Sequence, residues 1–131
     1  MTLEYSANLR ADGRFGELCR QLSKYMASLR IDGAAVFPPG GVRVRAIACE
    51  DFCIADGSVS DAGFVHAIVK IGAGRSDAAK QATSNGLFDI MKAHFARQFA
   101  EQGLALSLEL GEFSEAGTLK HNNLHARFRQ T

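Results

Sequence analysis

Two stretches of the chain repeat apolar residues at helical spacing, and four shorter ones alternate them at strand spacing. From Phe15 the apolar positions are Leu18, Cys19, Leu22, Tyr25, Met26 and Leu29, the i, i+3, i+4, i+7 recurrence of one helix face. Arg14, Glu17, Arg20, Gln21 and Lys24 occupy the other side. The pattern predicts a helix with one face for a core and one for water, ended by Asp32-Gly33. A second helix is expected from Asp77, with Ser76 as N-cap and Asp77 at the positive end of the dipole. Its apolar stripe reads Ala79, Ala82, Gly86, Leu87, Ile90, Met91, His94, Phe95 and Phe99, and Gly103 stops it. His94 lies on that stripe and reads as a core residue.

The strands are Leu3-Glu4-Tyr5, Val42 to Ala48, Phe64 to Ile71 and Leu104 to Leu110. Ser6-Ala7-Asn8 turns the chain after the first. Val36-Phe37-Pro38-Pro39-Gly40-Gly41 is a stiff turn before the second, where the prolines exclude helix. In Val42–Ala48, Val42, Val44 and Ala46 share one face and Arg43 and Arg45 the other. In Phe64–Ile71, His66, Ile68 and Lys70 share a face opposite Val65, Val69 and Ile71. His66 reads as structural. Ala55-Asp56-Gly57 marks a hairpin or loop between these strands.

The order is strand–helix–strand, twice, at about residues 2–48 and 64–110. A helix within each unit is too long for a tight hairpin, so each unit's strands should run parallel. Two such units make an α+β fold, a four-stranded mixed sheet covered on one face by two helices. The opposite face, with Phe64 and Ile68, would be bare in a monomer and argues for association. Leu119, Leu124 and Phe128 give the C-terminal segment enough apolar surface to dock on the body.

Composition narrows the classes. The 131 residues suit a single domain, residues 1–131. Basic and acidic side chains number 15 and 14, so no global field favours nucleic acid or an anionic membrane. No apolar run approaches the ~20 residues of a membrane span. The N-terminus lacks the pattern of a secretory signal, so a cytoplasmic location is expected. Three cysteines, Cys19, Cys49 and Cys53, read as reduced thiols. Cys49-x3-Cys53 is not the two-residue gap of common zinc knuckles, and His121-x3-His125 could place two imidazoles on one helix face, but the segment around it, with its paired asparagines, does not look helical.

The most suggestive local chemistry is Lys70-Ile71-Gly72-Ala73-Gly74-Arg75-Ser76, a strand, a glycine turn, an arginine and a helix N-terminus. Such a turn either serves geometry alone or seats an anion on backbone N–H groups, the dipole end and the Arg75 guanidinium. Arg43 and Arg45 are likewise either a solvent-facing pair or partners of Arg75. The run lacks the spacing and the lysine of a phosphate loop.

Phe37-Pro38, Gly41-Val42-Arg43-Val44-Arg45, Ala55-Asp56-Gly57, Phe64-Val65-His66, Lys70 to Ser76, Leu104-Ala105-Leu106-Ser107 and Asn122-Asn123-Leu124-His125-Ala126 together resemble the 5-carboxymethyl-2-hydroxymuconate isomerase family of the tautomerase superfamily. The resemblance runs from Leu3 to Phe128. It implies a tautomerase-like fold, a homotrimer and no metal or organic cofactor. It also implies a 1,3-proton transfer on an unsaturated carboxylate from aromatic degradation. Arg43 and Arg75 carry over as the residues that hold substrate carboxylates and stabilise the dienolate. Arg45, on the face of Arg43, is a further binding candidate.

The family's base, an N-terminal proline, would align just upstream of Met1; the prolines of this chain are Pro38 and Pro39. Weak turnover or none is therefore expected of the chain as it stands. A terminal primary amine, its pKa lowered by neighbouring arginines, is the alternative base. The rival expectation is a non-catalytic domain of the same fold that binds a small carboxylate.

Overall fold

The computed structural model describes residues 1–129. Four strands build the main sheet: β1 (Thr2–Ser6), β4 (Arg45–Cys49), β5 (Gly63–Gly72) and β6 (Leu104–Phe113). Between β1 and β4 lie helix α1 (Phe15–Ser28) and a short hairpin of β2 (Arg30–Ile31) and β3 (Ala34–Ala35). Helices α2 (Asp77–His94) and α3 (Ala96–Glu101) connect β5 to β6, and α4 (Leu124–Arg129) follows β6. Two single-turn 3-10 segments, Ala7–Leu9 and Pro39–Gly41, complete the order.

The sheet order is β4-β1-β5-β6. β1 pairs parallel with β4 and β5 parallel with β6, while β1 and β5 meet antiparallel at Glu4↔His66 and Thr2↔Ile68. Each β-α-β unit thus supplies one parallel pair, and the units join back to back into the expected mixed sheet. Period-two alternation decides what each face shows. Leu3, Tyr5, Val65, Ala67, Val69 and Ile71 point under the helices and are buried. They pack on Phe15, Leu18, Leu22 and Met26 of α1 and on Leu87, Met91 and Phe95 of the second unit. Tyr5 stacks on Phe15 with ring centroids 3.7 Å apart. The other face is uncovered in this chain: Ile47 is 51% exposed, and Phe64, His66 and Ile68 are half-buried. His66 Nδ1 lies 2.7 Å from Ser107 Oγ across the β5–β6 pair.

Several local expectations need correction. The first helix ends at Ser28 rather than at Asp32-Gly33. Those two residues, with φ of 51° and 79°, form the tight turn of the β2–β3 hairpin, the left-handed pair that such turns demand. The second strand starts at Arg45, so Val42, Arg43 and Val44 form a lead-in that keeps the alternation outside the strand itself.

The second helical run also breaks, at Phe95 (φ −99°, ψ 16°), before α3 begins. The break has a polar cause. His94 Nε2 donates to the Gly13 carbonyl at 2.7 Å and Gln98 Nε2 to the Asp12 carbonyl at 3.1 Å, so both side chains turn toward the loop before α1. Gln98 is buried in consequence, and Phe99, expected on the apolar stripe, is 65% exposed. Thr83 takes the buried place expected of Ala82 and donates its hydroxyl to the Ala79 carbonyl. His94 keeps the core role read for it.

Among the described residues no helix is long and apolar enough to cross a membrane. The C-terminal segment docks, though Leu119 takes no part in it. Leu119 is 98% exposed and Phe128 52%. Asn122 Nδ2 instead donates to the Gly40 carbonyl at 2.9 Å, and His125 seats against Gly40. A Cβ at Gly40 would lie 2.6 Å from the His125 amide nitrogen, so the docking needs glycine there. His125 lies within α4, whereas His121, Asn122 and Asn123 precede the helix, so the non-helical reading holds for the paired asparagines and fails at His125.

Candidate active site

A cavity of about 500 Å³ opens where the start of β1, the lead-in to β4, the end of β5 and the C-terminal segment converge. Arg43, Arg45 and Arg75 all line it, joined by Lys70 and the Met1 terminus. Sequence reading named these arginines from opposite β-α-β units; the antiparallel β1–β5 junction is what brings them together. No side-chain carboxylate lies within ion-pair distance of Arg43, Arg45, Lys70 or Arg75 among the described residues. Glu115 is the one acidic lining residue, and its Oε2 is engaged by Lys120 Nζ at 2.9 Å. The wall is therefore cationic and suited to an anion.

Arg75 is the most tightly held of the three. Its Nε donates to the Val36 carbonyl and its Nη1 to the Gly72 carbonyl, each at 3.0 Å. Its guanidinium carbon lies 4.6 Å from the centroid of the buried Phe37 ring. Gly72 makes room: a Cβ there would lie 3.4 Å from Arg75 Nη1 and 2.6 Å from Glu115 Oε1. Gly74, with φ of 107°, lets the chain reverse before α2. The helix N-terminus takes no part in the cavity. Ser76 caps it by accepting from the Ala79 amide at 3.1 Å, and residues 76–79 are not among the lining groups. The glycine turn places a guanidinium at the cavity, and the expected backbone cradle for an anion is not formed there.

Arg43 and Arg45 sit beside the first residue of β1. The Met1 α-ammonium donates to the Arg43 carbonyl at 2.9 Å, and the Arg45 amide donates to the Met1 carbonyl at 3.2 Å. These two bonds continue the parallel β1–β4 ladder past Thr2↔Arg45 and fix the amine against the cavity. Burial, then the charge of Arg45, then that of Arg43 hold the amine's pKa below its ordinary 8.0. Of the two arginines, Arg45 has the larger charge effect on the amine.

Sequence reading missed the outer wall. Lys120, His121, Asn122 and His125 line the cavity, brought there by the Asn122–Gly40 bond across 82 positions. The paired asparagines were a visible signal, since Asn122 Oδ1 accepts from the Leu124 amide at 2.7 Å and starts α4. Nothing local connected that motif to Gly40.

Comparisons with known proteins agree with this fold. Residues 1–128 match the family of 5-carboxymethyl-2-hydroxymuconate isomerase. The chain is 34% identical over 127 residues to the 5-carboxymethyl-2-hydroxymuconate Delta-isomerase of Escherichia coli, covering 97% of this chain and 96% of that one. A crystal structure of a 5-carboxymethyl-2-hydroxymuconate isomerase from Deinococcus radiodurans R1 superposes with a TM-score of 0.89 at 46% identity, covering 98% of this chain and 92% of that one. A fused 4-OT, solved as an asymmetric trimer, shares the fold with a TM-score of 0.58 at 19% identity, over 98% of each chain. The chain belongs to the 5-carboxymethyl-2-hydroxymuconate isomerase family.

Proposed function

We propose that the chain moves a proton between oxygen and carbon of an unsaturated, enolised carboxylate of aromatic-compound degradation; the names of its relatives give 5-carboxymethyl-2-hydroxymuconate. One observation carries the reading: Arg43, Arg45 and Arg75 meet a terminal amine of lowered pKa on one cavity. The amine, as free base, takes the enol proton. Charge spreads along the resulting dienolate, where the guanidinium groups stabilise it. The ammonium then returns the proton to a carbon further along, giving the ketone. The proton leaves and re-enters one molecule, so the sum needs no co-substrate, metal or organic cofactor. Arg75 and Arg43 hold carboxylate and enolate oxygens, and Arg45 serves both binding and the pKa of the amine. The chain acts in the cytoplasm as a homotrimer, with the uncovered sheet face turned inward.

The test is turnover of 2-hydroxymuconate, followed by absorbance, on the chain as it stands and on one extended by an N-terminal proline. Proline's secondary amine would lie deeper in the cavity, so the extended chain should be the faster. Equal rates would overturn the assignment of the base. Arg75→Ala in the faster chain should lower kcat by about 10²–10³-fold, as loss of a main oxyanion donor does. Carboxylate binding without turnover in either chain would favour the non-catalytic reading of the same cavity.

A further inference from the structure

The anchoring of Arg75 has a feature that its charge alone does not require. A cation without a carboxylate partner is held at three points, and two of them come from the segment after the β2–β3 hairpin. The hairpin sets that segment's position. Its Asp32-Gly33 turn pairs Arg30 with Ala35, and the Val36 amide then donates to the Leu29 carbonyl at 3.0 Å. That bond fixes Val36, whose own carbonyl accepts from Arg75 Nε. The next residue, Phe37, is only 6% exposed and lies under the guanidinium at 4.6 Å. Two of the five N–H groups of Arg75 are taken by backbone carbonyls, which leaves three for a ligand.

We infer that Phe37 is a positioning residue. It acts as a flat platform that holds the Arg75 guanidinium in the plane in which its remaining N–H groups meet the substrate's oxygens. A guanidinium stacked on a ring keeps its plane while its edges stay free to bond. A fixed donor contributes more to the transition state than a swinging one, because it needs no reorganisation as charge develops. The effect of Phe37 therefore runs through Arg75. Its consequence for turnover rests on the proposed isomerase reading; the anchoring itself does not.

Two measurements separate those layers. The first needs no ligand: in ¹⁵N-labelled protein the Arg75 Nε–H signal should be sharp and slow to exchange in the wild type and in Phe37→Tyr. In Phe37→Leu, which keeps an apolar side chain in the core, it should broaden or vanish. An unchanged signal in Phe37→Leu would overturn the platform role, whatever the enzyme does. The second is a double-mutant cycle on 2-hydroxymuconate turnover in the proline-extended chain. Phe37→Leu should lower kcat about tenfold with a smaller change in KM, and Phe37→Tyr should restore it. In an Arg75→Ala background Phe37→Leu should cost nothing further. Additive losses would show that Phe37 matters only for packing and would overturn the inference. If no variant turns over, the isomerase reading fails while the exchange measurement still decides the anchoring.

Discussion

At the scale of single residues, the Met1 amine is where the sheet meets the candidate cavity. Its hydrogen bond to the Arg43 carbonyl is a ladder bond in all but name, and its lowered pKa follows from being placed there. The cation is disfavoured in the folded chain, so the free base persists to lower pH than for an ordinary terminal amine. The rate of 2-hydroxymuconate turnover by the chain as it stands should rise with pH through a midpoint below 8.0 and then level off. Arg45→Ala removes the larger of the two charge effects and should move that midpoint upward, measured as a pH–rate profile. A midpoint that stays in place would detach the amine from the reaction. The same shift has a sign for stability. Between the folded and unfolded pKa the unfolded chain holds more protons, so this group's contribution favours the fold increasingly as pH rises toward 8.0 and is constant above it.

At the scale of elements, α1 and α2 meet at Tyr25 and Gly86. Tyr25 of α1 donates its hydroxyl to the Ala82 carbonyl of α2 at 2.7 Å. Its ring occupies the space that a Cβ on Gly86 would need. Gly86→Ala should therefore destabilise the chain by about 1–3 kcal/mol through overpacking, despite alanine's better helix propensity. Urea unfolding checks this, and a more stable variant would show that Tyr25 yields at no cost. Elements were also where the sequence was most legible. The long alternations of β5 and β6 and the stripe of α1 each state one face and one period without conflict. The helix end at Ser28 was not legible, because Asp-Gly serves equally as a helix stop and as a hairpin turn. Only the pairing of Arg30 with Ala35 decides between them. The break at Phe95 was hidden because its cause, two carbonyls at Asp12 and Gly13, lies more than 80 positions away.

For the whole molecule, the uncovered sheet face is the main unfinished surface. It mixes Ile47, Phe64 and Ile68 with His66, Ser107 and Glu109, a composition suited to an interface more than to permanent exposure. Light scattering should return three times the 14.1 kDa chain mass. Ile47→Arg, placed on the edge strand of that face, should shift the population toward single chains. A monomer of full activity would refute the inward-facing arrangement. The candidate site divides along the same line of scale. Arg43 and Arg75 were legible through motifs that lie within one turn or strand. The wall of Lys120, His121 and His125 was not, since it depends on Asn122 finding Gly40.

The cation-rich cavity also makes the fold a reporter of its own solution. Arg43, Arg45, Lys70 and Arg75 face one small space with no carboxylate at ion-pair distance among the described residues, so any small anion that enters relieves mutual repulsion in the native state alone. Native-only binding raises the unfolding free energy by about 2.7 kcal/mol at a ligand concentration one hundred times its Kd. Melting temperature should climb with added muconate, and more weakly with citrate or phosphate. Chloride at matched ionic strength should do less, and the climb should be lost in Arg75→Ala. Two laboratories using different buffers would then measure two different stabilities for one protein, and the difference would be a binding curve.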